Sequence, residues 1–388
     1  MRILVILSRV PYPIEKGDKL RAFHQLEVMA QQHEIILCAL SDAPVHPDTL
    51  VVLKKLCKQV HVFRLGKIGM LWNFTKSFFN GKPFQVGYFY RSAIKKKIDK
   101  VIEDSKPDHI FCQLIRVSEY VKNAHLPKTI DYMDVFSMGM RRRMLNSPWW
   151  ISPFFKMEYN RLLKYENYIF SFFDHTIIIS EPDRDLIPHP EKEKICVIPN
   201  GVDYDYFSPA DVAKKYDLVF TGNMGYAPNI DAASFLVNDI LPLVRAHFPQ
   251  IRILIAGATP HSKVLALKSE NVTISGWIPD IRDAYAQSEI FIAPMRIGTG
   301  LQNKILEAMA MALPCITTTL PNDALGAEIN TEILVGNTAN ELANHIITLL
   351  NDKQARDIMA QKGNDFVKKN FSWQSSTETM INLFKNNK

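Results

Sequence analysis

A chain of 388 residues is too long for one ordinary domain and fits two of about 150–200 residues each. Hydrophobic residues make up 47% and charged ones 22%, a globular balance that excludes a disordered or fibrous chain. The net charge of +6 is unevenly spread: residues 1–195 hold 30 Lys/Arg against 21 Asp/Glu (+9), and residues 196–388 hold the remaining 16 against 19 (−3), which directs the first half towards an anionic partner.

The first apolar run, RILVIL after Met1, is too short for a signal-peptide core and meets Arg9, Pro11 and Pro13, so it reads as a buried strand. Further strand-like runs follow at residues 35–40, 60–65, 109–112, 129–132 and 175–179. The second half adds 196–198, 218–221, 251–256, 272–275, 290–293, 315–318 and 332–335. Many are apolar at nearly every position, as strands buried on both faces of a parallel sheet are. Between them, residues 19–32, 231–247, 302–311 and 342–350 carry helical i, i+3, i+4 apolar spacing. The alternation predicts an α/β fold with two doubly wound parallel sheets: residues 1–190 and 191–371, with the polar stretch 191–194 at the boundary. A last helix after Trp373 (residues 373–388) is expected to cross back to the first domain, with Met380, Ile381 and Phe384 as its apolar stripe. No run reaches the ~18 apolar residues of a membrane span. The five cysteines lie far apart with no CxxC pair, which argues against a cysteine zinc site or disulfide framework.

The densest chemistry lies in residues 292–318, IAPMRIGTGLQNKILEAMAMALPCITT. A strand ends at Pro294, a loop punctuated by Gly298 and Gly300 follows, and a helix starts near Leu301. Glycines allow close backbone approach, and a helix N-terminus offers unpaired N–H groups. Arg296 and Lys304 add two cations, a set suited to a diphosphate, and Glu307 shares a helix face with Lys304, where it can accept two ribose hydroxyls. A basic loop beside an amphipathic helix with a solvated glutamate accounts for the same residues equally well.

The wording of this segment resembles the donor-binding motif of the large retaining GT-B glycosyltransferases of the bacterial family 4 type, in which LEAMA is followed by a small residue, Pro and an apolar strand. The resemblance extends along the chain through PYPIEKGDKLRAF (11–23), IPNGVD (198–203), FTGNMGYAPNIDAASFL (220–236), IRILIAG (251–257) and VTISGWIPDI (272–281). GDKLR, with DYMDVFSM at 131–138, resembles the subfamily that accompanies exosortase systems and builds surface polysaccharide. The resemblance implies two Rossmann-like domains facing a cleft and retaining transfer from a nucleotide-sugar donor to a lipid-linked or glycan acceptor. The scattered cysteines argue for a reduced compartment, so a cytoplasmic location is expected, and with no ligand spacing in the sequence neither a metal nor a cofactor is expected. By the same resemblance Glu307 binds the donor ribose, and Lys304 and Arg296 the diphosphate. Gly17 and Gly222 let their loops close on the phosphates, Trp277 and Ile278 lie near the base, and Gly298, Gly300 and Leu301 belong to the donor loop. Three positions depart from the family. Thr299 stands where a sugar-binding glutamate is usual, and Asn223 and Pro228 where an Arg and a Lys usually neutralise the leaving diphosphate. Arg296 and Lys304 are expected to replace that pair, helped by Lys19 and Arg21.

Asp131 and Asp134, after the strand at 129–132, are candidates for orienting or deprotonating the acceptor, although an Asp at a strand end also commonly caps a turn. Asp203-Tyr204-Asp205 spells a DxD but follows IPNGV and reads as loop. The histidines show no HxxxH or HExxH spacing. Nine Lys/Arg and one acid between Arg64 and Lys100 alternate with aromatics, and Arg141–Arg143 precede Trp149 and Trp150. Trp72, Lys76, Arg91, Arg142, Trp149 and Trp150 are the expected contacts to an anionic inner-membrane surface. No nucleic-acid-binding motif accompanies these patches. A degenerate, non-catalytic GT-B scaffold in a polysaccharide assembly is the competing reading, and Thr299, Asn223 and Pro228 favour it.

Overall fold

The computed structural model describes residues 1–14, 16–66, 77, 81–145, 147–298 and 300–385. The chain divides into two compact units: Met1–Pro199 together with Trp373–Lys388, and Asn200–Ser372.

Unit 1 holds strands β1 (Arg2–Leu7), β2 (Glu34–Ser41), β3 (Gln59–Arg64), β4 (His109–Gln113), β5 (Lys128–Asp131), β6 (His175–Ile178) and β7 (Cys196–Val197). They form one sheet in the order β3-β2-β1-β4-β5-β6-β7, and every pair is parallel, with Ile3 opposite Ile35 on one side and His109 on the other. Parallel pairing requires crossover connections, and the helices in those crossovers cover both faces. The alternation of β1 shows the result. Leu4 and Ile6 enter one core with Ile98, Tyr120 and Leu162. Ile3, Val5 and Leu7 enter another, with Leu26, Met29, Met380 and Phe384.

The second of these cores is closed by the helices Gly17–Ala30 and Trp373–Lys385. Trp373 stacks on His24 with centroids 5.0 Å apart, and Phe384 stacks on His109 at 4.2 Å. His109 is fully buried and bonds the Thr129 hydroxyl at 2.9 Å, and burial lowers its pKa to about 4, so it packs as a neutral ring.

Unit 2 holds β8 (Tyr216–Thr221), β9 (Ile253–Ala256), β10 (Val272–Gly276), β11 (Ser288–Ala293), β12 (Cys315–Thr317) and β13 (Leu334–Val335), in the order β10-β9-β8-β11-β12-β13. This sheet too is parallel throughout, around a single apolar core.

Two details differ from the sequence reading. The run at 196–198 does not open the second sheet: β7 pairs with β6, Ile177 opposite Cys196, and closes the first. The polar residues before it make a short 3-10 turn, Lys192–Lys194, rather than a linker. The helix expected at 231–247 is also interrupted. It runs as Ala227–Phe235, widens to a π turn at Leu236–Ile240 and resumes as Leu241–Arg245. Pro242, with no N–H to give the preceding turn, accounts for the widening.

Phe384 is 1% exposed at the centre of the contact between the last helix and unit 1. Phe384→Ala should therefore lower the stability of unit 1 by about 3–5 kcal/mol, measured by chemical denaturation. A loss below about 1 kcal/mol, within the effect of an ordinary surface substitution, would show the helix to be dispensable.

Candidate functional site

In an open parallel sheet the strand order reverses where neighbouring crossovers leave in opposite directions, and the loops there part to form a crevice at the carboxyl ends. In unit 2 this point lies between β8 and β11. Gly222 follows β8 at φ 149° and Gly257 follows β9 at φ 143°, a region closed to most L-residues. A Cβ on Gly257 would lie 1.7 Å from the Gly222 carbonyl oxygen, so these loops touch backbone to backbone. A Cβ on Gly222 would lie 2.7 Å from the Asn229 amide nitrogen and 3.2 Å from Lys304 Nζ. The space that glycine leaves is filled by those two side chains.

On the other side of the reversal, β11 runs into Pro294 and the loop carrying Gly298 (φ 135°) and Gly300 (φ 74°). The helix Asn303–Ala310 follows, and no side chain of its N-cap residue Gln302 caps it. Lys304 Nζ donates to Asn229 Oδ1 at 2.5 Å and lies 5.0 Å from the centre of the Phe220 ring. Asn229, 4% exposed, donates from its amide to the Asn223 carbonyl at 2.9 Å, and so ties the β8 loop to the helix. Burial lowers the Lys304 pKa to about 8, against the opposing pull of Glu307. Glu307 accepts from the Tyr285 hydroxyl at 2.7 Å, and Tyr285 also meets Thr221 at 2.8 Å. Burial raises the Glu307 pKa, against the Tyr285 hydrogen bond and Lys304. Asn200, of the PNG tripeptide, donates to Asn303 Oδ1 at 3.0 Å and fastens its segment to the first turn of the same helix.

The structure thus brings Gly222, Lys304 and Glu307 together. It also adds three residues that the sequence reading did not single out: Asn229, Tyr285 and Thr221. Asn229 stands inside the quoted glycine-turn segment, where a polar residue in the first turn of a helix is ordinary and carries no separate signal. Tyr285 carries no sequence signal that separates it from an ordinary core tyrosine.

Other expected residues sit differently. Arg296 holds Asp231 through Nε (3.1 Å) and Nη2 (2.7 Å) and stacks 4.1 Å from the centre of the Phe235 ring, so its guanidinium is committed to the neighbouring helix. Asn223 accepts from the Gly225 N–H and the Thr259 hydroxyl, making a turn. Pro228 is buried in the first turn of its helix. Trp277 is 70% exposed just after Gly276, Ile278 packs half-buried on the core, and so does Leu301. Thr299 lies outside the described residues.

In unit 1, Arg21 and Asp131 are both fully buried and paired at 2.6 Å, and Asp131 also accepts the Met133 N–H at 2.9 Å. This corrects two expectations. With their polar atoms turned on each other beneath the surface, Arg21 does not serve a donor phosphate and Asp131 does not serve an acceptor. Asp134 is half-buried at the start of the next turn, Gly17 is exposed at the helix start with open space at its Cβ position, and Lys19 reaches the Pro13 carbonyl at 3.3 Å. Arg91 is half-buried, and its Nη1 donates to the carbonyls of Tyr88 and Tyr90. Trp149 (87% exposed) and Trp150 (67%) stand out in solvent, and Arg142 is half-buried. Trp72 and Lys76 lie outside the described residues. Asp203 accepts the N–H groups of Asp205 and Tyr206, which makes the DxD a turn. Among the described residues no group of three or more His, Cys, Asp or Glu is placed to hold a metal ion, and no helix is long and apolar enough to cross a membrane.

Comparison with known proteins bears on the fold and on the second unit. Residues 215–352, within unit 2, match the family described as Glycosyl transferases group 1. Over 100% of both chains the protein is 22% identical to an uncharacterized 44.6 kDa protein in the cps region of Klebsiella pneumoniae. Its fold is similar to that of sucrose-phosphate synthase from Thermosynechococcus elongatus, with TM-score 0.71 and 15% identity over 99% of this chain and 98% of the other. It is also similar to Alr3699/HepE of Anabaena, solved in complex with UDP-glucose, with TM-score 0.68 and 14% identity over 99% and 100% of the two chains. By fold the chain is a GT-B protein, and its second unit is similar to the glycosyl transferases group 1 over residues 215–352.

Proposed function

We propose that the protein is a retaining glycosyltransferase of cell-surface glycan synthesis, which moves a sugar from a nucleotide-sugar donor on unit 2 to a lipid-linked or polysaccharide acceptor, with no metal. The observation that carries this reading is the helix Asn303–Ala310 at the strand-order reversal, which presents Lys304 and Glu307 behind the Gly222 turn. The uncapped helix start and the glycine loops receive the diphosphate. Glu307, held by Tyr285, accepts the ribose hydroxyls. As the anomeric C–O bond breaks, its electron pair goes to the departing diphosphate oxygen, and the Lys304 ammonium stabilises the charge that builds there. The acceptor oxygen bonds the same face of the sugar, and its proton leaves to a base, for which Asp134 is the candidate. The UDP-glucose complex of the Anabaena protein makes a uridine diphosphate sugar the first donor to test. GDKLR and DYMDVFSM support assignment to the exosortase-associated subfamily.

The positions of Asn223 and Pro228 favour a second reading, a nucleotide-binding scaffold, because neither supplies a cation. Slow hydrolysis of the donor separates the two: a scaffold releases no sugar.

A face of unit 1 is proposed to lie on an anionic membrane. Leu145 is 69% exposed beside Trp149 and Trp150, with Lys156 and Lys164 exposed on the following helix, Ser152–Phe170.

Four outcomes are expected. Glu307→Ala should weaken UDP binding by about 1.5–3 kcal/mol in calorimetry, the range for hydrogen bonds to a charged group, and an unchanged affinity in the folded variant removes Glu307 from the site. Lys304→Ala should lower turnover at least a hundredfold, from about 2.7–4 kcal/mol of lost transition-state stabilisation, whereas Arg296→Ala, committed to Asp231, should cost less than tenfold. The Lys304 ammonium is present below its pKa of about 8 and lost above it, so turnover should fall as pH rises through 8 in the native protein and stay level in Lys304→Arg. Comparable losses in both alanine variants would restore Arg296 to the site. Finally, Lys156→Gln/Lys164→Gln should reduce binding to phosphatidylglycerol vesicles by about 2 kcal/mol, at about 1 kcal/mol per charge, and Trp149→Ala/Trp150→Ala should reduce it further. Equal sedimentation of all forms with vesicles would refute the membrane face.

A further inference from the structure

Unit 1 has its own strand-order reversal, between β1 and β4, and the chain leaving β4 there is strained. Leu114 adopts φ 70° and ψ 143°, outside the regions open to a leucine. That residue turns the chain into the 3-10 helix Ile115–Tyr120 and places Arg116 at the carboxyl edge of the sheet. The guanidinium is held in place without being neutralised. Nε and Nη2 donate to Gln85 Oε1 at 3.3 and 2.8 Å, and the carbon of the fork lies 4.5 Å from the centre of the Phe136 ring and 5.4 Å from that of Phe89. Among the described residues no carboxylate pairs with it. Burial lowers its pKa to about 10, and the charges that act on it are the cations Arg9 and Arg143 and the acids Asp18 and Asp134. Asp18 is already paired with Arg9 at 2.7 Å. Arg116 is half-buried, and withdrawing a charged guanidinium from water without a counter-ion is costly. Here the cost falls at the edge of the sheet where open α/β folds bind ligands, and the planar fork suits a phosphoryl group.

We propose that Arg116, with the exposed Arg143 beside it, forms an anion subsite on unit 1 that holds a phosphoryl group of the acceptor. The proposal rests on the glycosyltransferase reading above and narrows the acceptor to a phosphorylated one. A lipid-linked diphosphate and a soluble sugar phosphate offer the same chemistry to this subsite.

Pyrophosphate can also occupy the donor site, so the test uses the full chain carrying Lys304→Ala/Glu307→Ala, titrated with pyrophosphate by calorimetry. Binding should persist in that background, weaken at least tenfold when Arg116→Gln is added, and weaken about threefold with the exposed Arg143→Gln. Because Arg116 also packs on two rings, Arg116→Lys serves as the conservative variant. It keeps the charge and the stem but loses the fork, and should also bind more weakly. A short prenyl diphosphate and glucose 1-phosphate, titrated beside pyrophosphate, separate a lipid-linked from a soluble source, and in either case the gain in affinity should depend on Arg116. Loss of all pyrophosphate binding in the Lys304→Ala/Glu307→Ala background, or binding indifferent to both Arg116→Lys and Arg143→Gln, overturns the subsite. Failure of the donor reading shows separately, as UDP affinity indifferent to Glu307→Ala.

Discussion

Parallel strand pairing is the constraint from which the rest of the architecture follows. A strand that pairs parallel with its predecessor cannot return through a hairpin and must cross over a face of the sheet. Both faces of each sheet are therefore covered, and β1, β4, β8 and β11 carry apolar side chains on both sides. Polar chemistry is then pushed to the strand ends. It collects at the carboxyl edges because glycine turns and helix N-termini meet there.

The two units handle charge at those edges in opposite ways. In unit 1, Arg21 of the GDKLR segment and Asp131 of the DYMD segment neutralise each other beneath the surface. Removing either partner strands a buried charge, at about 3–5 kcal/mol, so the pair fixes the first helix against the end of β5. In unit 2, Lys304 is held by the neutral amide of Asn229 and the face of Phe220. A neutral holder positions the ammonium and leaves its charge for a ligand. Arg116 of unit 1, on Gln85 and two phenyl rings, repeats that arrangement.

The same comparison explains how the site can lack the usual cations at positions 223 and 228. Pro228 begins the helix Ala227–Phe235, and the residue after it, Asn229, reaches to Lys304 from the opposite side of the reversal. The positive charge is thus supplied by the β11 side of the site and anchored by the β8 side. Arg296, eight residues before Lys304, anchors the helix Ala227–Phe235 through Asp231.

The sequence alone located the strands, because strands of a parallel sheet covered on both faces are largely apolar and thirteen largely apolar, β-branched runs stand out between helical spacings. It also located the glycine loops, because the backbone angles at 222 and 298 lie where L-residues rarely go and glycine goes freely. What a side chain does at the end of its strand was decided only in three dimensions. Arg21 and Arg116 are both arginines one helical turn or less past a strand or loop, yet one is paired with Asp131 and the other with a neutral amide. Arg296 and Lys304 read as one cationic pair along the chain, but Asp231 and Asn229, more than sixty residues away, divide their roles. The membership of the 196–198 run followed the same logic, because a two-residue strand joins whichever edge its turn delivers it to. Burial and partner choice depend on residues that fold in from distant crossovers, and no local pattern records them.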